Sequence, residues 1–320
     1  MTGFRTFGPA EIRDAVGLAE LIEPVGRALA EFSQGRGETP IVVFAPAGQD
    51  GDVHVKSAWL PGMPVFTVKV AAWFAARATA GRPAHSGFIA VLDAATGDLR
   101  ALLRDDHHLT DLRTAAAGAV AARLLARSDA RTVGVLGTGT QAYLQVLAAR
   151  AVRPIDTVLI WGRNRDAARR LAARLPEMSV VVAAEPESAV RRADIVVTAT
   201  SSRQPILRGR WLAPGQHVTA IGADDPGKAE LDPDCFARAD LLAVDSRRDT
   251  PRIAGDLRAA IGAHALQADD IHAELGELVL GRHPGRTDDT QLTVAKLIGL
   301  GVQDLVTAEI ALRRLEGSTR

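Results

Sequence analysis

An α/β fold, with a doubly wound parallel sheet of Rossmann type inserted into an α+β unit, is what this sequence predicts. Two observations carry the expectation. Residues 131–142, Arg-Thr-Val-Gly-Val-Leu-Gly-Thr-Gly-Thr-Gln-Ala, form an apolar run that stops on glycine and restarts as a helix. After it, apolar runs alternate with helical segments at the pace of a parallel sheet covered on both faces, whereas the residues before it read as helix followed by strands and tight turns.

Taken in order, residues 10–33 place Ile12, Ala15, Val16, Ala19 and Ile22, then Val25, Ala28, Leu29 and Phe32, at helical spacing, which predicts two helical pieces with a break or kink at Pro24. Strand-like segments follow at 41–44, 53–59, 66–70, 87–93 and 99–103, with turns at Pro61-Gly62 and Thr96-Gly97-Asp98. An apolar helix over 110–126 leads into the strand before the glycines. There Val133, Val135 and Leu136 supply the buried β character, and Gly137, Gly139 and Ala142 match the G-x-G-x-x-G/A dinucleotide fingerprint. Gly137 permits the turn, Gly139 lets a pyrophosphate approach the backbone, and Ala142 lets the helix over 140–150 lie close to the sheet with its N–H groups toward the phosphates. Thr138 and Gln141 flank that turn. Further strands are expected at 157–161, 180–183, 194–200, 217–222 and 241–245, separated by helices such as 165–174 and 187–192. The last helix, about 304–315, has no strand after it and is expected to fold back on the front of the chain. The expected domains are therefore 1–127 plus 293–320, and 128–292.

The composition fits a cytoplasmic enzyme: 320 residues suggest two domains, and 47% hydrophobic residues is ample for a core. Lys plus Arg and Asp plus Glu both number 38, so no global basic field argues for nucleic acid. No secretory apolar region and no membrane-spanning run is evident. The single Cys235 excludes an internal disulfide and reads as a small buried residue. No metal is expected: no cysteine cluster exists, and the adjacent His107 and His108 point apart, which suits a structural or surface role. His54 and His85 lie in the front half as candidates for ligand contact.

Three segments make the chain recognisable: Leu109-Thr110-Asp111-Leu112-Arg113-Thr114-Ala115-Ala116, the turn from Gly137 to Ala142, and Gly222-Ala-Asp224-Asp225-Pro226-Gly227-Lys228-Ala-Glu230-Leu231. In order and spacing they resemble the ornithine cyclodeaminase and mu-crystallin family, and the resemblance continues through Phe66-Thr-Val-Lys69-Val and the segment from Ala193 to Thr200. It implies a homodimer whose inserted Rossmann-type nucleotide domain interrupts an α+β substrate-binding and dimerisation domain. Known members include ornithine cyclodeaminase, archaeal alanine dehydrogenase, and reductases of ketimines, cyclic imino acids and iminosuccinate. Their shared chemistry moves a hydride between C4 of nicotinamide and the α-carbon of an amino or imino acid.

By this resemblance Arg113 grips the substrate α-carboxylate, a role suited to a planar guanidinium that stays charged. Lys69 matches the lysine that contacts the carboxylate or transfers a proton at the imine nitrogen, and a strand is an expensive place for an ammonium unless an anion meets it. Asp224 matches the aspartate that moves a proton near the substrate amine, although Asp225 is chemically equivalent and the segment also suits a plain turn. Thr114 and Gly222 join the cofactor contacts, with Thr198, Thr200 and Ser201 at a strand end on the nicotinamide side.

Cyclodeaminases carry a glutamate thirteen positions before the lysine; here that position is Lys56. The reversed charge opposes an ornithine ammonium. It suits a second substrate carboxylate, or replacement of a basic residue that the family usually has in the strand over 41–44 and this chain lacks; an exposed lysine without a role is the third reading. At the end of the second nucleotide-domain strand, where NAD-selective sites put an acid, stand Arg163, Asn164 and Arg165. The arginines favour NADP over NAD through the 2′-phosphate, while Asn164 equally suits a helix cap. The expected activity is thus an NAD(P)-dependent imino-acid reductase or amino-acid dehydrogenase acting on a small, possibly dicarboxylic substrate. The alternatives are a cyclodeaminase-type ammonia-lyase with bound NAD and a non-catalytic NADP-binding protein.

Overall fold

The computed structural model describes residues 4–317. In chain order its first part forms β1 (Arg5–Phe7), α1 (Pro9–Arg13), α2 (Leu18–Ser33), β2 (Ile41–Phe44), β3 (Gly51–Ala58), β4 (Val65–Phe74), α3 (Ala75–Thr79), β5 (His85–Asp93), β6 (Leu99–Leu103) and α4 (His108–Leu125). There follow β7 (Thr132–Leu136), α5 (Thr140–Val152), β8 (Thr157–Trp161), α6 (Arg165–Ala173), β9 (Ser179–Val182), α7 (Pro186–Arg191), β10 (Ile195–Thr198), β11 (Arg203–Leu207), β12 (His217–Ala220) and β13 (Ala229–Leu231). The chain ends with α8 (Pro233–Ala237), β14 (Leu241–Val244), α9 (Thr250–Ile253), α10 (Gly255–Gly262), β15 (Ala273–Glu274), α11 (Leu275–Val279), β16 (Thr293–Lys296) and α12 (Gly301–Gly317).

Two compact units result, one of residues up to Thr114 together with those from Leu300 onward, the other Ala115–Gly299. The boundary expected at 292/293 is corrected by two pairings, and the one at 127/128 by the division at Thr114/Ala115. β16 lies between β12 and β14, so residues 293–296 belong to the second unit, and the boundary before it falls within α4. The sequence reading missed β16 because Thr-Val-Ala-Lys runs without a break into the approach to the last helix.

The first unit is a six-stranded sheet in the order β1-β6-β5-β4-β3-β2, antiparallel except for the β1–β6 pair. The final helix α12 packs on β3, β4 and β5 and on α2. Alternation along β4 then turns Val65, Thr67 and Lys69 to the covered side, where each is buried, while Phe66, Val68 and Val70 stay half-buried on the other. Leu21, Val25 and Leu29 of α2 are fully buried, each contributing about 1.5–3 kcal/mol. The expected break at Pro24 is not there. α2 runs unbroken from Leu18 to Ser33 with Pro24 inside it, and the chain breaks earlier, at the Gly17 cap between α1 and α2. The buried face on both sides of Pro24 holds the helix together despite the missing N–H.

The second unit is an all-parallel eight-stranded sheet in the order β15-β14-β16-β12-β10-β7-β8-β9, a Rossmann-like α/β fold. Strands β10, β12, β14 and β16 are buried at every residue, whereas the edge strand β9 is not. The order reverses at β7, with β8 on one side and β10 on the other, which is the switch point where such sheets bind ligands. Among the described residues no helix is long and apolar enough to cross a membrane.

Candidate active site

In the first unit, register pairing sets Lys56 of β3 directly across from Lys69 of β4. Both are buried, at 3% and 2% exposure, which removes the reading of Lys56 as an exposed lysine. Alternation does put it opposite Val53 and Val55, but the covered side of this sheet is the charged one. Arg113, from the first turns of α4, is buried at 5%. The two side chains expected to hold a carboxylate meet one that the chain itself supplies: Asp304 of α12. Its Oδ2 lies 2.7 Å from Lys69 Nζ, and its Oδ1 accepts from Arg113 Nε at 2.8 Å. Arg113 Nη1 also donates to Gln303 Oε1 at 2.9 Å. Nε and Nη1 of the guanidinium are therefore both engaged by residues of α12.

Electrostatics follow from burial. Lys69 is pushed down to about 7, first by its burial and then by the Arg113 charge, with Asp304 pulling the other way. Burial alone would raise Asp304, yet the Arg113 and Lys69 charges outweigh it and hold the carboxyl below its usual range. The sequence alone assigns no site role to Asp304, at the expected start of the last helix, or to Gln303 before it. The signal was there in Leu300, Val302 and Leu305, apolar on several sides of the helix start, where an acid has no solvent face to occupy.

In the second unit the fingerprint takes the form its glycines require. Gly137 sits at φ +141, and a Cβ there would lie 2.5 Å from the Ala199 carbonyl oxygen. Gly139 caps α5 with no side-chain cap bond, and a Cβ at that position would meet nothing within 4 Å. A bare backbone corner at the start of a thirteen-residue helix, with open space in front of it, fits a dinucleotide pyrophosphate. Ala142 is buried and Thr138 lies against Gly162 at the end of β8. Arg163 and Arg165 are exposed beyond that strand. Asn164 between them is the N-cap of α6, its side chain accepting from the Asp166 and Ala167 N–H groups at 3.0 Å. Gln141 accepts from Gln145 at 3.4 Å.

The strand-end threonines are organised by Glu230, a residue of the Gly222–Leu231 motif to which the sequence alone assigns no role. Glu230, fully buried, accepts from Thr198 Oγ1 at 2.7 Å, from the Thr200 N–H and hydroxyl at 2.6 and 2.8 Å, and from the Gly222 N–H at 2.7 Å. Thr198 is itself buried, so its hydroxyl serves the strand ends. Ser201, next along, is exposed. Thr114, placed with the cofactor contacts, belongs to the first unit and donates its hydroxyl to the Thr110 carbonyl at 2.7 Å. Asp224 is half-buried and shares Lys228 with Asp225, at 2.9 and 2.8 Å. Cys235 is buried and its thiol is pushed up, chiefly by burial.

The sequence profile of the ornithine cyclodeaminase/mu-crystallin family matches residues 9–318. The chain belongs to that family. A Sinorhizobium fredii protein named an uncharacterized cyclodeaminase is 42% identical over 280 residues, 87% of this chain and 84% of its own. The Delta(1)-pyrroline-2-carboxylate reductase of Bacillus cereus is 33% identical over 308 residues, covering 95% and 94%. Among solved structures, the Thermococcus litoralis Delta(1)-pyrroline-2-carboxylate reductase in complex with NADH and L-proline superposes with a TM-score of 0.95 at 27% identity, over 99% of this chain and 98% of that one.

Proposed function

We propose that this family member is an NAD(P)-dependent imino-acid reductase, working in the reverse sense as an amino-acid dehydrogenase. One observation supports it above the others: Lys69 and Arg113, from separate segments, converge as a buried pair of cations on a single buried acid. In this reading Arg113 and Lys69 hold the α-carboxylate, and Asp304 keeps both oriented. Asp224, paired with Lys228, handles the proton at the substrate nitrogen. Gly137, Gly139 and the N–H groups opening α5 hold the pyrophosphate, Arg163 and Arg165 favour a 2′-phosphate and so NADP, and Glu230 fixes the strand ends on the nicotinamide side. When bound, the nicotinamide supplies or accepts the hydride. Lys69 then sets the pH range: kcat/KM falls as pH rises past about 7 and the ammonium loses its proton.

A second copy of the chain is the proposed partner. Val42, Phe44 and Phe88 are 56%, 49% and 36% exposed and share one face of the six-stranded sheet with Val53, Val55 and Val70, an apolar surface of the kind that homodimers bury. Sedimentation should give twice the 33.8 kDa chain mass.

The test of the activity is the absorbance of reduced nicotinamide with ornithine and with 2-oxo acids plus ammonia or methylamine. Net oxidation supports the reductase. The cyclodeaminase reading draws on the 42% identical relative's name and predicts product from ornithine without net oxidation; the buried Lys56 opposes it, since it sets a cation where an ornithine ammonium would need an acid. Tight cofactor binding with no turnover would mark a non-catalytic binding protein.

A further inference from the structure

We propose that His107 selects substrates with a second carboxylate, binding the distal end of a dicarboxylic 2-imino acid held by Lys69 and Arg113. This rests on the reductase reading and narrows its substrate class.

On the covered side of the first unit's sheet, the residues next after Lys69 are Ala71 of β4 and its register partner Gly87 of β5. Gly87 has φ +144, and a Cβ there would lie 2.0 Å from the Val70 carbonyl oxygen, so this position accepts no side chain. The small pair leaves a notch beside the lysine. It forms part of a pocket lined by Lys69, Ala71, Ser86, Gly87, Asp105 and His107. Same-face residues are about 6.8 Å apart along a strand, within the reach of a four- or five-carbon diacid.

The backbone at His107 is held in a costly shape. Asp106 and His107 have φ +47 and +72, two consecutive non-glycine residues in the left-handed region, just before α4 begins. Such strain persists only where the surroundings hold it, and it gathers at functional positions. Here the ring is fixed twice. Its Nδ1 lies 3.1 Å from Asp111 Oδ1, and it stacks on His85 with centroids 4.4 Å apart and planes at 30°. With Nδ1–H directed at Asp111, Nε2 is the ring's other polar atom, and its N–H is the donor proposed for the distal carboxylate. The acid lining the same pocket, Asp105, is pushed up by burial and accepts the Leu109 N–H at 2.8 Å, so it opposes a second anion less than a solvated aspartate would. A Lys–His pair around a notch thus suits a carboxylate better than the ring of a cyclic imino acid.

The experiment compares kcat/KM for oxaloacetate, 2-oxoglutarate and pyruvate, each with ammonia, and for Delta(1)-pyrroline-2-carboxylate, in wild type, His107→Asn, His107→Ala and Asp106→Gly. Wild type should favour a diacid. His107→Asn, which tolerates the left-handed backbone, and His107→Ala should each lower the diacid-to-pyruvate ratio at least about tenfold, mainly through KM. Asp106→Gly relaxes the neighbouring strain, keeps the imidazole, and should hold the ratio within about threefold while raising the melting temperature. A wild type that favours pyruvate or the cyclic imine, or a ratio unmoved in both His107 variants, overturns this inference and leaves the reductase standing. A wild type that reduces none of the four overturns the reductase reading and this inference with it.

Discussion

The two units of this chain reach their chemistry by opposite routes. In the second, the cradle around Gly137, Gly139 and Ala142 is local: six residues of backbone between β7 and α5, shaped by the absence of side chains. In the first, Lys69, Arg113 and Asp304 come from β4, α4 and α12, and nothing brings them together until the sheet and its covering helix are in place. A local device fails when an atom is added; an assembled one fails when a charge is removed.

The largest effect is expected on the local side. Gly137→Ala forces a Cβ against the Ala199 carbonyl at a backbone angle only glycine accepts readily, and NAD(P)H binding should be lost, read as disappearance of the bound-cofactor fluorescence. The assembled side is broken by Asp304→Asn, which leaves Lys69 and Arg113 buried without their acid. It should cost about 3–5 kcal/mol of stability in urea titration and raise KM for the oxo acid. Glu230→Gln replaces one of the two acceptor oxygens shared by the Thr198, Thr200 and Gly222 donors with an NH2 donor and should cost about 1–3 kcal/mol, with KM for the cofactor rising more than KM for substrate.

pH separates the units further. Lys69 is lowered to about 7 in the fold against an ordinary 10.5, so between these values the unfolded chain binds the extra proton and stability should rise with pH, a slope that Lys69→Met removes. His217 of the second unit is lowered from 6.5 to about 3, chiefly by burial, between the Thr293 and Thr219 hydroxyls. Its contribution is complete above 6.5 and lost as pH falls toward 3, so His217→Gln should flatten the acid limb of the melting curve. The smallest effect is expected from Arg163→Ala with Arg165→Ala, exposed as both are: a several-fold rise in KM for NADPH, with NADH little changed.

How much of this was legible in the sequence follows the same division. The fingerprint turn, the strands of both sheets that flank it and the capping role of Asn164 could be read from neighbouring residues, because turns and caps are decided within a few positions. Lys69 stands out as a charge in an apolar strand, and Arg113 and Lys56 through the family resemblance, yet whether Lys56 faces solvent depends on which side of the sheet α12 covers, which alternation alone does not say. Asp304 and Glu230 escaped notice since an acid in a helix or beside a lysine ordinarily means a solvated surface. Pro24 misled for the reverse reason: local chemistry forbids what tertiary burial of Leu21, Val25 and Leu29 enforces.

The place of β16 bears on how the molecule is made. It is the last strand to leave the ribosome and yet it must slot between β12 and β14, which were synthesised well before it. Until residue 296 has emerged, β14 and β15 have no neighbour to join them to the rest of their layer, and the nascent chain carries two strand edges that other polypeptides could capture. A chain truncated just before Thr293 should therefore aggregate during translation, while one truncated after Lys296 should complete the layer.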